Sequence, residues 1–323
     1  MESTYRFLLR RFIIILVNLA VLTVIAFGIT MIFREDFLQL LFRRGTEIEE
    51  IEWIRQEAGF NDSWLTQYFT WLRFAFQGNF GNSIRFQMPV LELVQQRMYN
   101  TLTLAISATF LLYIIAIPLG IVSGRYKESW KDSLISIFTY LSLSIPHFIL
   151  ATFLLFIFGF KLGWVPTTGS VAPGMSSESW AYVTSRIHHV LMPAIALMLF
   201  FVAKTIQYLR NEIIDLESQN FIALARAKGA SEGRVFSKHI FRNAMVPLST
   251  SFSLDFVELL GATIFVEMIF SYPGIGQLLL VSMDSQDHNV IILLVLVFGT
   301  LTILGSFIGD LFLVSIDPRI KIK

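Results

Sequence analysis

Apolar runs long enough to cross a bilayer recur along this chain and decide what it can fold into. They are Phe12–Phe33, Thr101–Ser123, Ser133–Phe160, His188–Ala203, Ala244–Phe270 and Asn289–Val314, and the fourth continues as helix past Lys204 to about Ile214. A membrane helix needs about 20 mostly apolar residues. In hydrocarbon the helix satisfies its own backbone groups. The runs therefore predict an all-α membrane protein with six transmembrane helices. Composition agrees: 54% of residues are hydrophobic and 15% charged, with mean hydropathy +0.64, whereas a soluble domain must cover its surface with polar groups. A net charge of +1 gives no reason to expect nucleic acid, and the lack of cysteine excludes disulfides and thiolate metal sites.

The first run has a basic front (Arg6, Arg10, Arg11) but exceeds the apolar region of a signal peptide, so residues 1–33 read as a cytoplasmic start and a retained anchor. Residues 34–96 read as a small extracytoplasmic helical insertion. It has a Glu47–Glu57 cluster, helical spacing at Leu65, Phe69, Leu72 and Phe76, turns over Gly78–Ser83, and a short helix from Pro89 to Arg97. Residues 97–314 hold the other five helices, and 315–323 form a tail. Pro146 should break the third span, since proline frees a carbonyl that only protein or a wet cavity can satisfy. Ser271–Gln277 should break the chain after the fifth. Lysine and arginine set the orientation. With the N-terminus inside, the last two outer connections carry only Lys161 and Arg186, so both termini are expected in the cytoplasm.

One polar, basic island interrupts this pattern, Asn220 to Pro247, within a loop over 215–246. Asn220 is a plausible cap for a short helix ending at Gly229. Ser231 then caps a second helix towards Asn243, and Pro247 opens the next apolar run. Helix, glycine break and helix make a compact elbow suited to docking into a partner's groove.

This elbow resembles the "EAA" coupling loop of ABC-importer permeases, with Ala223-Leu224-Ala225 in the place of EAA and Gly229 in that of the loop's glycine. The leading Glu is absent and Pro247 is displaced, as in the B-type permeases of dipeptide and oligopeptide importers. The segments LSIPHF, KLGWVP, VEMIFSYPGIGQLLL and Ile316-Asp317-Pro318-Arg319 resemble the same family in order. The resemblance implies the type I ABC-importer permease fold in a bacterial or archaeal-type cell membrane. Its implied partners are a second homologous permease subunit, two cytoplasmic ATPase subunits carrying ATP and Mg, and an extracytoplasmic solute-binding protein. The implied cargo is a di- or oligopeptide, or alternatively a nickel complex, glutathione or another small solute. The residues that would grip the ATPase are Ala223, Leu224, Ala225, Arg226, Ala227, Lys228, Gly229, Ala230 and Ser231.

No phosphate-cradling GxxxxGK[ST] loop occurs, so the chain is expected to bind no nucleotide and to catalyse nothing. Asp255 and Glu258, three residues apart on one helix face, are costly inside a membrane and should face a cavity or a basic partner. With Pro146 and His147 they are the candidates for a translocation path; the bland alternative for the two acids is a structural pairing with the second permease, or simply a position near the membrane interface. Glu267 reads as a structural or gating residue. His188 and His189 point to different helix faces, which disfavours a metal. Gly305 and Gly309 form a GxxxG seam candidate. An intramembrane aspartyl protease fails on the sequence because Phe307 stands where its glycine is needed. A secondary transporter would have no use for the elbow.

Overall fold

The computed structural model describes residues 2–43, 62–176 and 178–316, and they are helical apart from turns and one isolated bridge between Asn82 and Pro89. Eleven helices follow in order: α1 (Glu2–Arg43), α2 (Trp64–Phe76), α3 (Val90–Arg125), α4 (Trp130–Ser144), α5 (His147–Leu154), α6 (Trp180–Glu217), α7 (Asn220–Ala227), α8 (Glu232–Arg234), α9 (Arg242–Ile269), α10 (Ile275–Asp284) and α11 (His288–Ile316). Wider π turns extend α5 through Leu155–Lys161 and join α8 to α9 through Val235–Phe241. The Glu47–Glu57 cluster and residues 317–323 of the tail lie outside the described residues.

Among the described residues, α1, α3, α6 and α11 contain stretches long and apolar enough to cross a membrane, and the α4–α5 pair, bent by 103°, makes a fifth if counted as one span. The bend falls at the expected place, with Ile145 extended and Pro146 opening α5. The remaining expected span is α9, whose 28 residues measure about 42 Å at 1.5 Å per residue. Several expected boundaries move. The helix expected over Pro89–Arg97 and the second span are one helix, α3, since no glycine or proline separates Arg97 from Thr101. Likewise α1 runs on past Phe33 to Arg43, and α6 starts at Trp180, where the Ser179 side chain accepts the Tyr182 N–H.

The chain divides into two compact units. The first comprises 1–4, 100–277 and 305–323. Its core is a row on α3 at i, i+4 spacing, Leu104, Ala108, Leu112 and Ala116, packed with Ala151 of α5, Leu197, Val202 and Ile206 of α6, and Leu259 and Val266 of α9. The row continues through Gly120 and Gly124, where a Cβ would lie 3.0 Å from Leu209 and 2.8 Å from Ile213 of α6. Lipid gives helices no hydrophobic reason to associate, so close backbone approach over small residues must supply the packing. Gly305 packs in the same way, its missing Cβ replaced by Val257.

Helix α4 is inverted relative to a soluble helix. Its buried residues are Asp132, Thr139 and Ser142, while Leu134, Ile137, Phe138 and Leu141 are exposed. Each buried polar group meets α6: Arg210 holds Asp132 through two hydrogen bonds of 2.8 Å, Gln207 donates to Thr139 at 2.6 Å, and Ser142 donates to the Leu199 carbonyl at 3.1 Å. A membrane helix satisfies its polar side chains against protein and gives its apolar ones to lipid.

The break after α9 re-enters as expected. Ser271 takes φ +45°, and α10 begins at Ile275. Glu267, fully buried, accepts hydrogen bonds from Thr101 Oγ1 at 2.6 Å and from the Gln277 N–H at 2.9 Å. Thr101 in turn accepts the Ile275 N–H at 2.8 Å, and Asn100 donates to the Pro273 carbonyl at 2.8 Å. The carboxylate lies where a Cβ on Gly274 would be, so glycine is required there.

The second unit comprises 5–99 and 278–304. Phe27 of α1 packs against Trp64, Tyr68 and Trp71 of α2, and Leu22 fills the space above Gly299 of α11. Asp287 fastens the turn before α3, accepting from Ser83 Oγ at 2.5 Å and from the Arg85 N–H at 3.2 Å.

Candidate functional site

The elbow is a small folded body. Helix α7 starts one residue earlier than expected, with Gln219 rather than Asn220 as the extended capping residue. It ends as expected. Gly229 takes φ +80°, and the Ala230 N–H reaches back to the Ala225 carbonyl at 3.2 Å, which closes a Schellman-type stop. Beyond it the expectation fails. Ser231 does precede a helix, but that helix does not end towards Asn243: α8, the π turn Val235–Phe241 and α9 run on as one rod with Pro247 inside. Membrane helices tolerate such prolines, and α3 and α6 carry Pro118 and Pro193 in the same way.

A core of its own holds the elbow to the long helices. Ile222 of α7, Val235 and Ile240 of the π turn, Leu209 and Ile213 of α6, and Ala244 and Leu248 of α9 are all buried together. The opposite face is open. Phe221 is 43% and Leu224 55% exposed, and Ala223, Ala227, Lys228 and Gly229 are exposed beside them. A Cβ on Gly229 would meet nothing within 4 Å. Short side chains on a stiff, exposed helix permit close approach by another surface.

Arg226 turns inward rather than outward. Its Nε binds Glu232 at 2.9 Å and its Nη2 binds Glu217 at 3.0 Å, so it ties α7 to the end of α6 and to α8. Arg226 holds the Glu232 carboxyl below the usual carboxylate range. A depressed folded value means the contribution is present above the unfolded pKa and lost only as acid protonates Glu232. Arg125 lies over the Phe236 ring at 4.7 Å on the same side.

The acid pair has a partner within the chain. Lys204 of α6 binds Glu258 at 2.9 Å and approaches Asp255 at 3.8 Å. Tyr113 of α3 donates to Asp255 at 2.6 Å. Asp255 is buried, whereas Glu258 and Lys204 are about half exposed. With Tyr113 this charged triad joins three helices, and it keeps one negative charge in excess. Beside it Tyr113 lines a groove of about 590 Å³ with Ile106, Phe110, Phe252 and Phe256. The pairing of Lys204 with Glu258 spans 54 residues, and spacing along the chain gives no sign of it. Pro146 and His147 lie elsewhere, at the α4–α5 bend, where the His147 ring stacks on Phe200 with centroids 4.6 Å apart. His188 and His189 hydrogen-bond separate carbonyls, of Trp164 and Ser185.

Comparison with known proteins accounts for this arrangement. Residues 116–322 match the family described as binding-protein-dependent transport system inner membrane component, and residues 4–105 match its N-terminal companion. The oligopeptide transport system permease protein AppB of Bacillus subtilis (strain 168) is 33% identical over 98% of this chain and 99% of its own length. The glutathione transport system permease protein GsiC of Escherichia coli (strain K12) is 30% identical over 98% and 99%. The fold is similar to that in the inward-facing MetNI methionine ABC transporter, with TM-score 0.53 and 16% identity over 70% of this chain and 97% of that one. An amino acid ABC transporter gives TM-score 0.53 at 13% identity, covering 69% and 93%. The chain belongs to the binding-protein-dependent transport system inner membrane components and is a permease subunit of an ABC importer.

Proposed function

We propose that this chain forms the translocation path of a di- or oligopeptide importer together with a second, homologous permease. An extracytoplasmic solute-binding protein delivers the cargo, and two cytoplasmic ATPases holding ATP and Mg drive the cycle. The names of the similar permeases support this cargo; those named for glutathione, itself a short peptide, extend it rather than oppose it. Both termini and the elbow are cytoplasmic in this reading, with Ala223–Ser231 as the face gripped by the ATPase.

The observation that carries the proposal is the two-sidedness of the elbow: buried apolar residues fasten one face to α6 and α9, and small residues leave the other open. A coupling between distant sites needs an element with defined states rather than a slack loop, and this packing supplies one. ATP-driven closure would pull on α7, and the rod from α8 into α9 would carry the movement to Asp255 and to the re-entrant segment. Along the path, the surplus negative charge of Asp255, Glu258 and Lys204 would favour a peptide ammonium, and Pro146 and His147 mark where α4 and α5 hinge. Replacing Gly229 with a bulky residue, such as Gly229→Phe, should leave folding and insertion intact while ATP-dependent peptide uptake is lost. Uptake at the normal rate would remove the elbow from the mechanism.

A further inference from the structure

Helix α2 carries three separate stripes along its length. Trp64, Tyr68, Trp71 and Ala75 share one side, and the three aromatic rings among them pack on Phe27 of α1. Thr66, Thr70, Arg73 and Gln77 share a polar side roughly opposite. About 100° from the packed side lies a third stripe, Leu65, Phe69, Leu72 and Phe76. Within this unit it is largely uncovered, with Leu65 59%, Phe69 62% and Phe76 84% exposed. Water would not leave three large apolar side chains in one row bare without a reason.

Depth identifies what covers them. The apolar stretch of α1 ends at Ile32, and Arg34, Glu35 and Asp36 follow. Phe27 lies five residues before that end, about 7–8 Å along the axis at 1.5 Å per residue. Tyr68 reaches deeper still: its hydroxyl is 2.8 Å from Thr23 Oγ1, about 13 Å below the end on the same scale. Hydrocarbon about 30 Å thick extends well past both positions. On its free side α1 also exposes Val21, Val24 and Ile25, so the bare row of α2 continues a wall that already faces lipid.

Both ends of α2 carry local caps, which lower the cost of entering an apolar medium. Ser63 Oγ accepts the Thr66 N–H at 3.3 Å, and Gln67 donates to the Asp62 carbonyl at 2.8 Å. At the other end Gly78 takes φ +77°, and the Asn79 N–H returns to the Phe74 carbonyl at 2.9 Å.

We propose that α2 is a monotopic helix sunk beside α1 below the end of its apolar stretch, with the Leu65–Phe69–Leu72–Phe76 row in the acyl chains of that leaflet. The polar row then lies on the side away from α1, and the long Arg73 side chain extends from it to the headgroups. This makes the helix an anchor, within the helical insertion read at residues 34–96, for the segment that follows.

The chain has no cysteine, so single spin labels report without background. The full-length chain, with the subunits that co-purify with it, is reconstituted in phosphatidylcholine–phosphatidylglycerol liposomes carrying Phe69→Cys, Phe76→Cys or the polar-side control Thr70→Cys. Labels at 69 and 76 should collide more often with oxygen than with an aqueous nickel chelate, by several-fold relative to the label at 70. Collision with the nickel chelate equal to that at 70 would place the row in water and overturn the proposal. Shielding from both reagents would show a protein cover and overturn it equally. Phe76 touches least, so its label keeps the test decisive if the change at 69 disturbs packing.

Discussion

Glu267→Gln isolates the role of one buried carboxylate in holding the re-entrant segment. Donors surround Glu267: Thr101 Oγ1 on one oxygen, the Gln277 N–H on the other, with the Gly276 N–H and Thr263 close by. Thr101 already accepts the Ile275 N–H, so its single hydrogen is committed to Glu267. Glutamine keeps the shape but turns one acceptor into a donor facing donors. The loss is one charge-assisted hydrogen bond, about 1.5–3 kcal/mol; the anion faces the first turn of α10 but belongs to the last turn of α9, so its two helix-dipole contributions oppose each other. That cost corresponds to a fall of at least about 3 °C, at roughly 2–4 °C per kcal/mol for larger domains. Thermal unfolding followed by size-exclusion chromatography in detergent measures it. Thr101→Ser should melt like the parent, Thr101→Val should fall with Glu267→Gln, and the double change should cost less than the sum. If Glu267→Gln melts within about 1 °C of the parent, the carboxylate does not hold the segment and the reasoning fails.

Two further outcomes follow from the charged pairs. Asp132→Asn leaves the Arg210 guanidinium short of its anion at a buried junction of α3, α4 and α6, and should cost towards the lower end of the roughly 3–5 kcal/mol seen for broken buried pairs; chemical denaturation reads this directly, and a loss below about 1 kcal/mol would show that the junction is held otherwise. Lys204→Met strips the triad of its cation and should raise the uptake ratio of cationic to acidic peptides, whereas Asp255→Asn should lower it. Equal changes for both peptide classes would make the triad a structural tie.

Much of this molecule was legible because hydrocarbon imposes a simple rule on sequence. Uninterrupted apolar runs located the long helices, Pro146 located the sharp bend, and Gly229 located the stop of α7, each through a local backbone requirement. The errors have a common source. The second elbow helix and the fifth span read as separate elements, yet they are one rod that continues through Pro247. The acids that pair with Arg210, Lys204 and Arg226 lie 78, 54 and 6 or 9 residues away, and spacing along the chain does not report such pairings. The row Leu104–Ala108–Leu112–Ala116–Gly120–Gly124 was in plain view at i, i+4 spacing, and the small-residue rule applied to Gly305 would have found it. The inward polar face of α4 was equally readable once a membrane helix is expected to hide Asp132, Thr139 and Ser142.

Grip on the exposed face of α7 tests the central claim most directly. A photo-cross-linker attached at Leu224→Cys, in the importer assembled in liposomes with its co-purifying subunits, should join this chain to a nucleotide-hydrolysing subunit, with a yield that changes between ATP-bound and nucleotide-free states. A cross-link of the same yield in both states, or none to any such subunit while uptake proceeds, would contradict the account.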